Sequence, residues 1–388
     1  MSYSIDSALA GATPGLAAGL DEAWMRFALD LAEQAIGVSD PNPRVGCVIV
    51  DATGRTLGTG HTQQAGQAHA EIMAIRDARA RGECLRGATA YVTLEPCAHH
   101  GRTPPCCDAL VAAGIGRVVV ATGDPHPKVC GEGMRRLHSA GVDVVELADG
   151  PGKERAQALN IGFFHRIRTG RPWVRLKAAM SLDGCMSLVN GTSQWITGPD
   201  ARLDGHAWRK RSGAVLTGIG TVEADDPRMT VREVTAIRQP LRVVLDSRLR
   251  LSPAAAILGP PGEVLVYTAS TDLERRDVLE GAGAEVVCLG EQQGRIDLRD
   301  VITDLGRREI NELHVEAGPT VNGNLIGQAL VDEYLLYLAP TLLAPGRGLA
   351  SRLPIGSIDQ GARLDIRSID ALGGDLRILA RPRGDRRV

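Results

Sequence analysis

His69-Ala70-Glu71 and, farther along, Pro96-Cys97 and Cys106 are the residues whose types and spacing best suit chemistry. Imidazole and thiolate are ligands that zinc prefers, and a catalytic zinc keeps three protein ligands and one position open to water. His69, Cys97 and Cys106 supply such a set. Zinc brings the pKa of its water down to roughly 7, which readies the water to attack an amino-bearing carbon of a heterocycle. Glu71, which is not a ligand, would take the water proton and deliver it to the ring nitrogen and then to departing ammonia. H-x-E followed by P-C and a second cysteine is the arrangement expected for hydrolytic deamination of a base. Eight residues separate Cys97 from Cys106 instead of two, so the intervening loop is long. Cys107 competes with Cys106 for the third ligand position. One step along a helix turns a side chain by about 100°, and Cys107 is taken as a buried neighbour. Cys47, Cys84, Cys130, Cys185 and Cys288 have no partner at ligand spacing and read as structural.

These groups need elements to aim them. Trp24, Phe27, Ala28, Leu31, Ala35 and Ile36 recur at helical spacing, so a helix opens the ordered chain. Val45 to Asp51 and Thr56 to His61 read as a hairpin around Ala52-Thr53-Gly54. A helix begins near His69, where the first turn lets His69 and Glu71 both reach a metal off the helix end. Ala88 to Leu94 reads as a strand leading into Cys97, and Cys106 to Ala113 as a helix whose N-terminus favours the thiolate. Strands at Arg117 to Thr122 and Val142 to Leu147 and helices at Gly133 to Ser139 and Gly152 to Phe164 complete a sheet flanked by helices.

The polar, breaker-containing stretch Arg168-Thr169-Gly170-Arg171-Pro172 marks a domain boundary, giving units at 21–167 and 172–388. After it, strands are expected at Trp173 to Met180, Gly213 to Thr217, Leu241 to Leu245, Glu263 to Tyr267, Glu285 to Leu289, Glu312 to Val315 and Glu333 to Leu338. Pro199 to Arg211 and Thr320 to Ala329 read as helices. The second unit contains no G-x-G-x-x-G turn. Its best anion-binding candidate is Gly318 to Asn324, directly after a strand, where glycine admits close backbone approach and a helix start attracts a pyrophosphate.

Composition limits the alternatives. The 388 residues suit about two domains. A net charge of −2, without a basic cluster, and aromatics at 3% argue against a nucleic-acid partner. No apolar run approaches bilayer length. Residues 1–20 lack a basic n-region and read as a mobile leader on a cytoplasmic protein. Eight cysteines in this length are too few for a disulfide scaffold.

The string Thr93 to Cys106, T-L-E-P-C-A-H-H-G-R-T-P-P-C, closely resembles the bifunctional deaminase/reductase family of riboflavin biosynthesis. Pro41-Asn42-Pro43-Arg44-Val45-Gly46, Gly60-His61, Gly123-Asp124-Pro125, Ser193 to Gly198, Thr221 to Pro227 and Glu316 to Thr320 resemble it too, in the same order. The resemblance implies an α/β protein with an N-terminal cytidine-deaminase-like α/β/α domain and a C-terminal dihydrofolate-reductase-like α/β domain. It implies Zn2+ and NADPH as cofactors. The first domain would deaminate 2,5-diamino-6-ribosylamino-4(3H)-pyrimidinone 5′-phosphate, and the second would reduce the product's ribosyl group to ribityl.

By the same resemblance, Asn42, His61, His99 and Arg102 would hold the deaminase substrate. Ser193, Arg209, Met229, Arg232 and Glu316 would hold the reductase substrate. Ala179, Trp195, Thr221, Asp225, Ser247 and the run Gly318, Pro319, Thr320, Val321, Asn322, Gly323, Asn324 would line the dinucleotide. Lys177 and Asp225 are the candidates for handling protons. A homo-oligomer acting on a small phosphorylated pyrimidine, without nucleic-acid or membrane partners, is expected. Two other readings stay open: a deaminase of other nucleotides fused to an inactive reductase-like unit, and a structural zinc module on an RNA-binding scaffold. The latter would use four protein ligands and have no need of Glu71.

Overall fold

The computed structural model describes residues 14–98, 104–125, 131–292, 294–351, 353 and 355–384. It divides into two compact units, Met1–Thr169 and Gly170–Val388.

The first unit comprises α1 (Pro14–Glu33), β1 (Gly46–Val50), β2 (Thr56–His61), α2 (Ala70–Ala80), β3 (Thr89–Val92), α3 (Cys106–Ala112), β4 (Arg117–Val120), α4 (Glu132–Ser139), β5 (Asp143–Glu146), α5 (Pro151–Leu159) and α6 (Ile161–Thr169). Its sheet runs β2-β1-β3-β4-β5. β1 pairs antiparallel with β2 and β3, and the later pairs are parallel. Strand alternation sorts the apolar residues to two faces. Val48, Val50, Tyr91 and Val119 pack with Trp24, Met25, Leu29 and Ala156 of α1 and α5. Cys47, Ile49, Val118 and Val120 pack on the opposite side with α2, α3, α4 and α6. The result is an α/β/α sandwich. α2 lies so close to β2 that a Cβ on Gly58 would stand 2.3 Å from the Ala74 carbonyl oxygen, and one on Gly60 2.4 Å from that of Ala70. These glycines let the start of α2, with its chemistry, settle on the strand.

Two expectations change here. The helix opens at Pro14, so residues 14–20 belong to α1 and not to a leader; proline at a first helical position costs no hydrogen bond. Residues 1–13 of that leader lie outside the described residues. The helix expected from Gly152 to Phe164 is two, broken at Asn160. There the Asn160 side chain accepts from the Arg44 N–H at 2.7 Å and donates to the Arg44 carbonyl at 2.9 Å, clamping the segment before β1.

The second unit comprises β6 (Trp173–Ser181), β7 (Cys185–Leu188), α7 (Pro199–Arg211), β8 (Ala214–Gly218), α8 (Ile219–Asp225), β9 (Leu241–Leu245), β10 (Val264–Thr268), α9 (Leu273–Gly281), β11 (Ala284–Cys288), β12 (Glu291–Gln292), β13 (Arg295–Ile296), α10 (Leu298–Arg307), β14 (Glu312–Val315), α11 (Pro319–Gly327), β15 (Glu333–Ala339), β16 (Gly346–Gly348), β17 (Leu364–Leu372) and β18 (Asp375–Pro382). Its main sheet runs β11-β10-β9-β8-β14-β6-β15-β18-β17. The seven strands from β11 to β15 are parallel, and β18 and β17 close the edge as an antiparallel hairpin. α10 and α11 cover one face, while α7, α8 and α9 cover the other. The carboxyl ends of the neighbouring strands β8 and β14 lead into α8 and α11, and in parallel sheets ligands bind beyond such ends.

Candidate active sites of the two units

His69 is the N-cap of α2, with extended backbone (φ −77°, ψ 168°), and Glu71 lies in the first turn. Because His69 stands outside the helix, its imidazole is free of the 100° helical step that would turn it away from Glu71. Cys97 lies on the loop after β3, and Cys106 is the first residue of α3, buried. The Cys106 backbone N–H donates to Cys97 Sγ at 3.4 Å. His69 Nδ1 is 3.6 Å from Cys97 Sγ and 3.3 Å from Cys106 Sγ, and the three donor atoms lie within 4.8 Å of one another. Tetrahedral zinc with ordinary Zn–N and Zn–S bonds spaces such atoms at about 3.6 Å. The donors therefore fit zinc in both type and spacing.

The electrostatics agree. The hydrogen bond from the Cys106 thiol draws the Cys97 thiol well below its ordinary value, and the same contact, together with burial, holds the Cys106 proton in place. The hydrogen bond with Cys97 raises His69 despite burial. Glu71 is 3% exposed; burial, with the Cys97 charge, pushes its carboxyl up to about 7. A carboxyl beside a metal-type donor set, titrating near neutrality and outside that set, suits proton transfer.

Asn42 and His61 are half-buried, and their side chains make no hydrogen bond among the described residues. Burial lowers His61. His99, Arg102 and Cys130 lie outside the described residues. Cys47, Cys107 and Cys185 are buried, but Cys84 and Cys288 are exposed, so the expectation of structural thiols fails for those two.

Glu95 was not singled out from the sequence as a functional candidate, although it lies in the string that carries Cys97. It is buried, and its carboxylate accepts the backbone N–H groups of Asp124 (3.2 Å), Gly131 (2.9 Å), Gly133 (2.9 Å) and Met134 (3.3 Å). It ties the loop bearing Cys97 to the start of α4.

In the second unit a cavity of about 710 Å³ opens beyond β6, β8 and β14. Lys177, Ala179, Ser193, Trp195, Arg209, Thr221, Asp225, Met229, Arg232, Glu316 and Gly318 to Val321 all line it. A second cavity of about 450 Å³ shares Lys177, Trp195, Arg209, Arg232 and Glu316 with the first, and adds His206 and Tyr337. Arg209 binds Glu316 bidentately (2.5 and 2.9 Å), and Lys177 Nζ stands 3.6 Å from the same carboxylate. Burial would raise Glu316, but Arg209 and Lys177 outweigh it and hold the carboxyl well below its ordinary value. Ser193 Oγ donates to Asp225 at 3.3 Å, and the Arg202 guanidinium covers the Trp195 ring at 4.9 Å from its centroid. Gly318 caps α11, where a Cβ would meet Thr221 Oγ1 at 3.6 Å, so α8 and α11 start side by side.

The residues 172–378 match the RibD C-terminal domain, and residues 19–122 match the cytidine and deoxycytidylate deaminase zinc-binding region. The riboflavin biosynthesis protein RibD of Escherichia coli K12 is 44% identical over 369 residues, covering 92% of this chain and 98% of that protein. The chain belongs to the RibD family.

Similar RibD proteins include that of Aquifex aeolicus, 38% identical, with 92% of this chain and 97% of that one covered. Acinetobacter baumannii RibD superposes with a TM-score of 0.84 at 40% identity, covering 95% and 100% of the two chains. A Thermotoga maritima diaminohydroxyphosphoribosylaminopyrimidine deaminase/5-amino-6-(5-phosphoribosylamino)uracil reductase superposes at 0.85 with 32% identity, covering 94% and 99%. The chain is thus a bifunctional deaminase/reductase of riboflavin biosynthesis, with a His/Cys/Cys cluster that fits Zn2+ and a RibD reductase domain that fits NADPH.

Four positions expected at the dinucleotide are not on the RibD reductase cavity. Ser247 Oγ accepts the Ile296 N–H at 3.3 Å. Asn322 is fully buried, its amide donating to the Leu349 carbonyl at 3.1 Å. Gly323 packs against the Ser351 backbone, where a Cβ would sit 2.1 Å from the carbonyl oxygen, and Asn324 lies farther along α11. Asn322 and Gly323 turn toward the core after the first turn, whereas Asn324 is half-buried one turn beyond the lining residue Thr320. His206 and Tyr337 were not foreseen as lining residues. The i,i+3 spacing of His206 and Arg209 on α7 is the signal that could have found the former. No helix of the described residues is long and apolar enough to cross a membrane.

Proposed function

We propose that the first unit deaminates 2,5-diamino-6-ribosylamino-4(3H)-pyrimidinone 5′-phosphate and that the second reduces the ribosyl group of the deaminated product to ribityl. The observation that carries this reading is the buried Glu71 carboxyl beside three donors spaced for zinc. Zinc held by His69, Cys97 and Cys106 supplies a Lewis acid that acidifies water at the site. Glu71 takes a first proton from the water and gives it to the ring nitrogen, then takes the second from the hydroxyl that has added to the ring carbon and gives it to the departing amine, which leaves as ammonia. Asn42 and His61, with side chains free to bond, hold the substrate together with His99 and Arg102.

In the second unit NADPH, when bound, supplies a hydride. Ala179, Trp195, Thr221, Asp225 and the Gly318 to Val321 turn are the cavity residues assigned to hold it. Ser193, Met229, Arg209 and Glu316 orient the substrate, and Arg232 takes its phosphate, a match for a planar guanidinium. Lys177 and Asp225 are assigned to move the proton that the opening ribose ring requires. Exposed Ile366 and Ile369 on the edge strand β17 support self-association as a homo-oligomer.

The test supplies zinc-loaded protein with the diaminopyrimidinone phosphate. Ammonia should appear, and adding NADPH should bleach the nicotinamide absorbance. Chelating the metal should stop ammonia release while NADPH oxidation continues on deaminated substrate. Loss of both activities on chelation, or no oxidation with the deaminated compound, would defeat the reading.

A further inference from the structure

We propose that His206 is a substrate-binding residue of the reductase unit, donating through Nε2 to the phosphate beside Arg232. This rests on the reading above that Arg232 takes the phosphate. His206 precedes Arg209 by one turn of α7, so the two share a face, and both line the 450 Å³ cavity with Arg232. The His206 ring is 7% exposed, and its Nδ1 accepts the backbone N–H of Arg232 at 3.2 Å. A neutral imidazole has one donor and one acceptor. With Nδ1 used as acceptor, the proton resides on Nε2, the ring's remaining polar atom.

The neutral form is enforced. Burial, then the charges of Arg209 and Arg232, push the imidazole down to about 4. A proton on Nδ1 would also set donor against donor at the Arg232 amide. The surroundings call for such a donor. Arg209 is already engaged by Glu316. Arg232 makes no ion pair among the described residues; its Nη1 donates to Thr230 Oγ1 at 3.2 Å and to the Thr230 carbonyl at 3.4 Å. A phosphate dianion arriving at this cation brings more acceptor sites than one guanidinium fills, and Nε2–H serves another. Because the same ring holds residue 232 by its backbone, imidazole and guanidinium are fixed relative to each other before substrate binds.

The experiment uses full-length, zinc-loaded protein and follows NADPH oxidation with 5-amino-6-(5-phosphoribosylamino)uracil and with the same compound lacking its phosphate. His206→Asn keeps an acceptor where Nδ1 stood and removes the distal donor. His206→Gln keeps an amide near Nε2 and gives up the acceptor for Arg232. For His206→Asn, KM for the phosphorylated substrate should rise about tenfold or more, as for a lost hydrogen bond to a charged acceptor. KM for NADPH and deaminase turnover should hold, the dephosphorylated substrate should respond little, and His206→Gln should retain more activity. Equal losses on both substrates, wild-type kinetics in His206→Asn, or a better Asn than Gln variant overturns the assignment. So does early melting with a fall in kcat and no change in KM, which would make the residue structural. If the wild-type protein itself does not oxidise NADPH with the phosphorylated compound, the functional reading fails, and the proposal with it.

Discussion

Replacing Glu71 with Gln separates its two effects, on chemistry and on stability. The carboxyl is 3% exposed and raised from 4.5 to about 7, chiefly by burial. A shift of about 2.5 units, at 1.36 kcal/mol per unit, means that its ionised form costs the metal-free fold on the order of 3 kcal/mol. The folded value lies above the unfolded one, so this cost is absent below about pH 4.5 and complete above about pH 7. Metal-free Glu71→Gln should therefore match the metal-free wild type in acid and gain stability across that window, by up to about 3 kcal/mol at pH 8. Bound zinc offsets the carboxylate charge, and the gain should shrink in loaded protein. Catalysis moves the other way: loss of a general acid/base typically removes a hundred- to ten-thousand-fold of rate, while zinc, held by the other three residues, should stay. Urea unfolding at a series of pH values, metal analysis and ammonia release test the three parts together. Zinc lost with the glutamate, deaminase activity within tenfold of wild type, or a pH-independent stability difference would refute the reasoning.

Three further outcomes follow from the same geometry. A Cβ on Gly133 would stand 1.9 Å from the Pro96 carbonyl oxygen, so Gly133→Ala should displace the loop bearing Cys97 and weaken zinc retention in a chelator competition, with NADPH oxidation on deaminated substrate intact. Arg209→Met leaves the Glu316 carboxylate without its bidentate partner, and removing one member of a buried pair costs about 3–5 kcal/mol; the second unit should melt earlier and its substrate KM should rise. Glu316 and Glu333 are both held below their ordinary values, against burial, by Arg209 with Lys177 and by Arg175 with Arg381. Their contribution is thus present above the unfolded value near 4.5 and lost as pH falls. Unfolding of the second unit followed by calorimetry should be flat above about pH 6 and weaken steeply below about pH 4.5; a flat profile through pH 3 would contradict it.

What could be read from the sequence was what is local in the chain. β1 and β2 declare themselves by alternation around a turn, α7 by its proline start and breaker end, and α3 by Cys106 following two prolines. The zinc donors were legible because ligand type and helix starts are sequence properties. The hairpin of β17 and β18 was not foreseen: β17 keeps Ile366 and Ile369 exposed, 59% and 57%, so its pattern is not that of a buried strand. The Asn160 break was hidden too, since its cause is Arg44, a partner 116 residues away.

The run expected at the dinucleotide makes the same point from the other direction. Gly318 to Asn324 is one continuous run in sequence, yet of it only Gly318 to Val321 line the cavity. By Asn322 the chain has rotated into the core, where the amide secures Leu349 and glycine at 323 admits the Ser351 backbone. Asn322 Nδ2 and Gly323 therefore anchor the start of the helix, while Asn322 Oδ1 is buried without a partner among the described residues. His206 is the converse case, silent as an isolated histidine and informative once the Arg232 backbone sets its tautomer. A residue's role at such a site depends on which of its atoms the fold has already used, and only long-range contacts decide that.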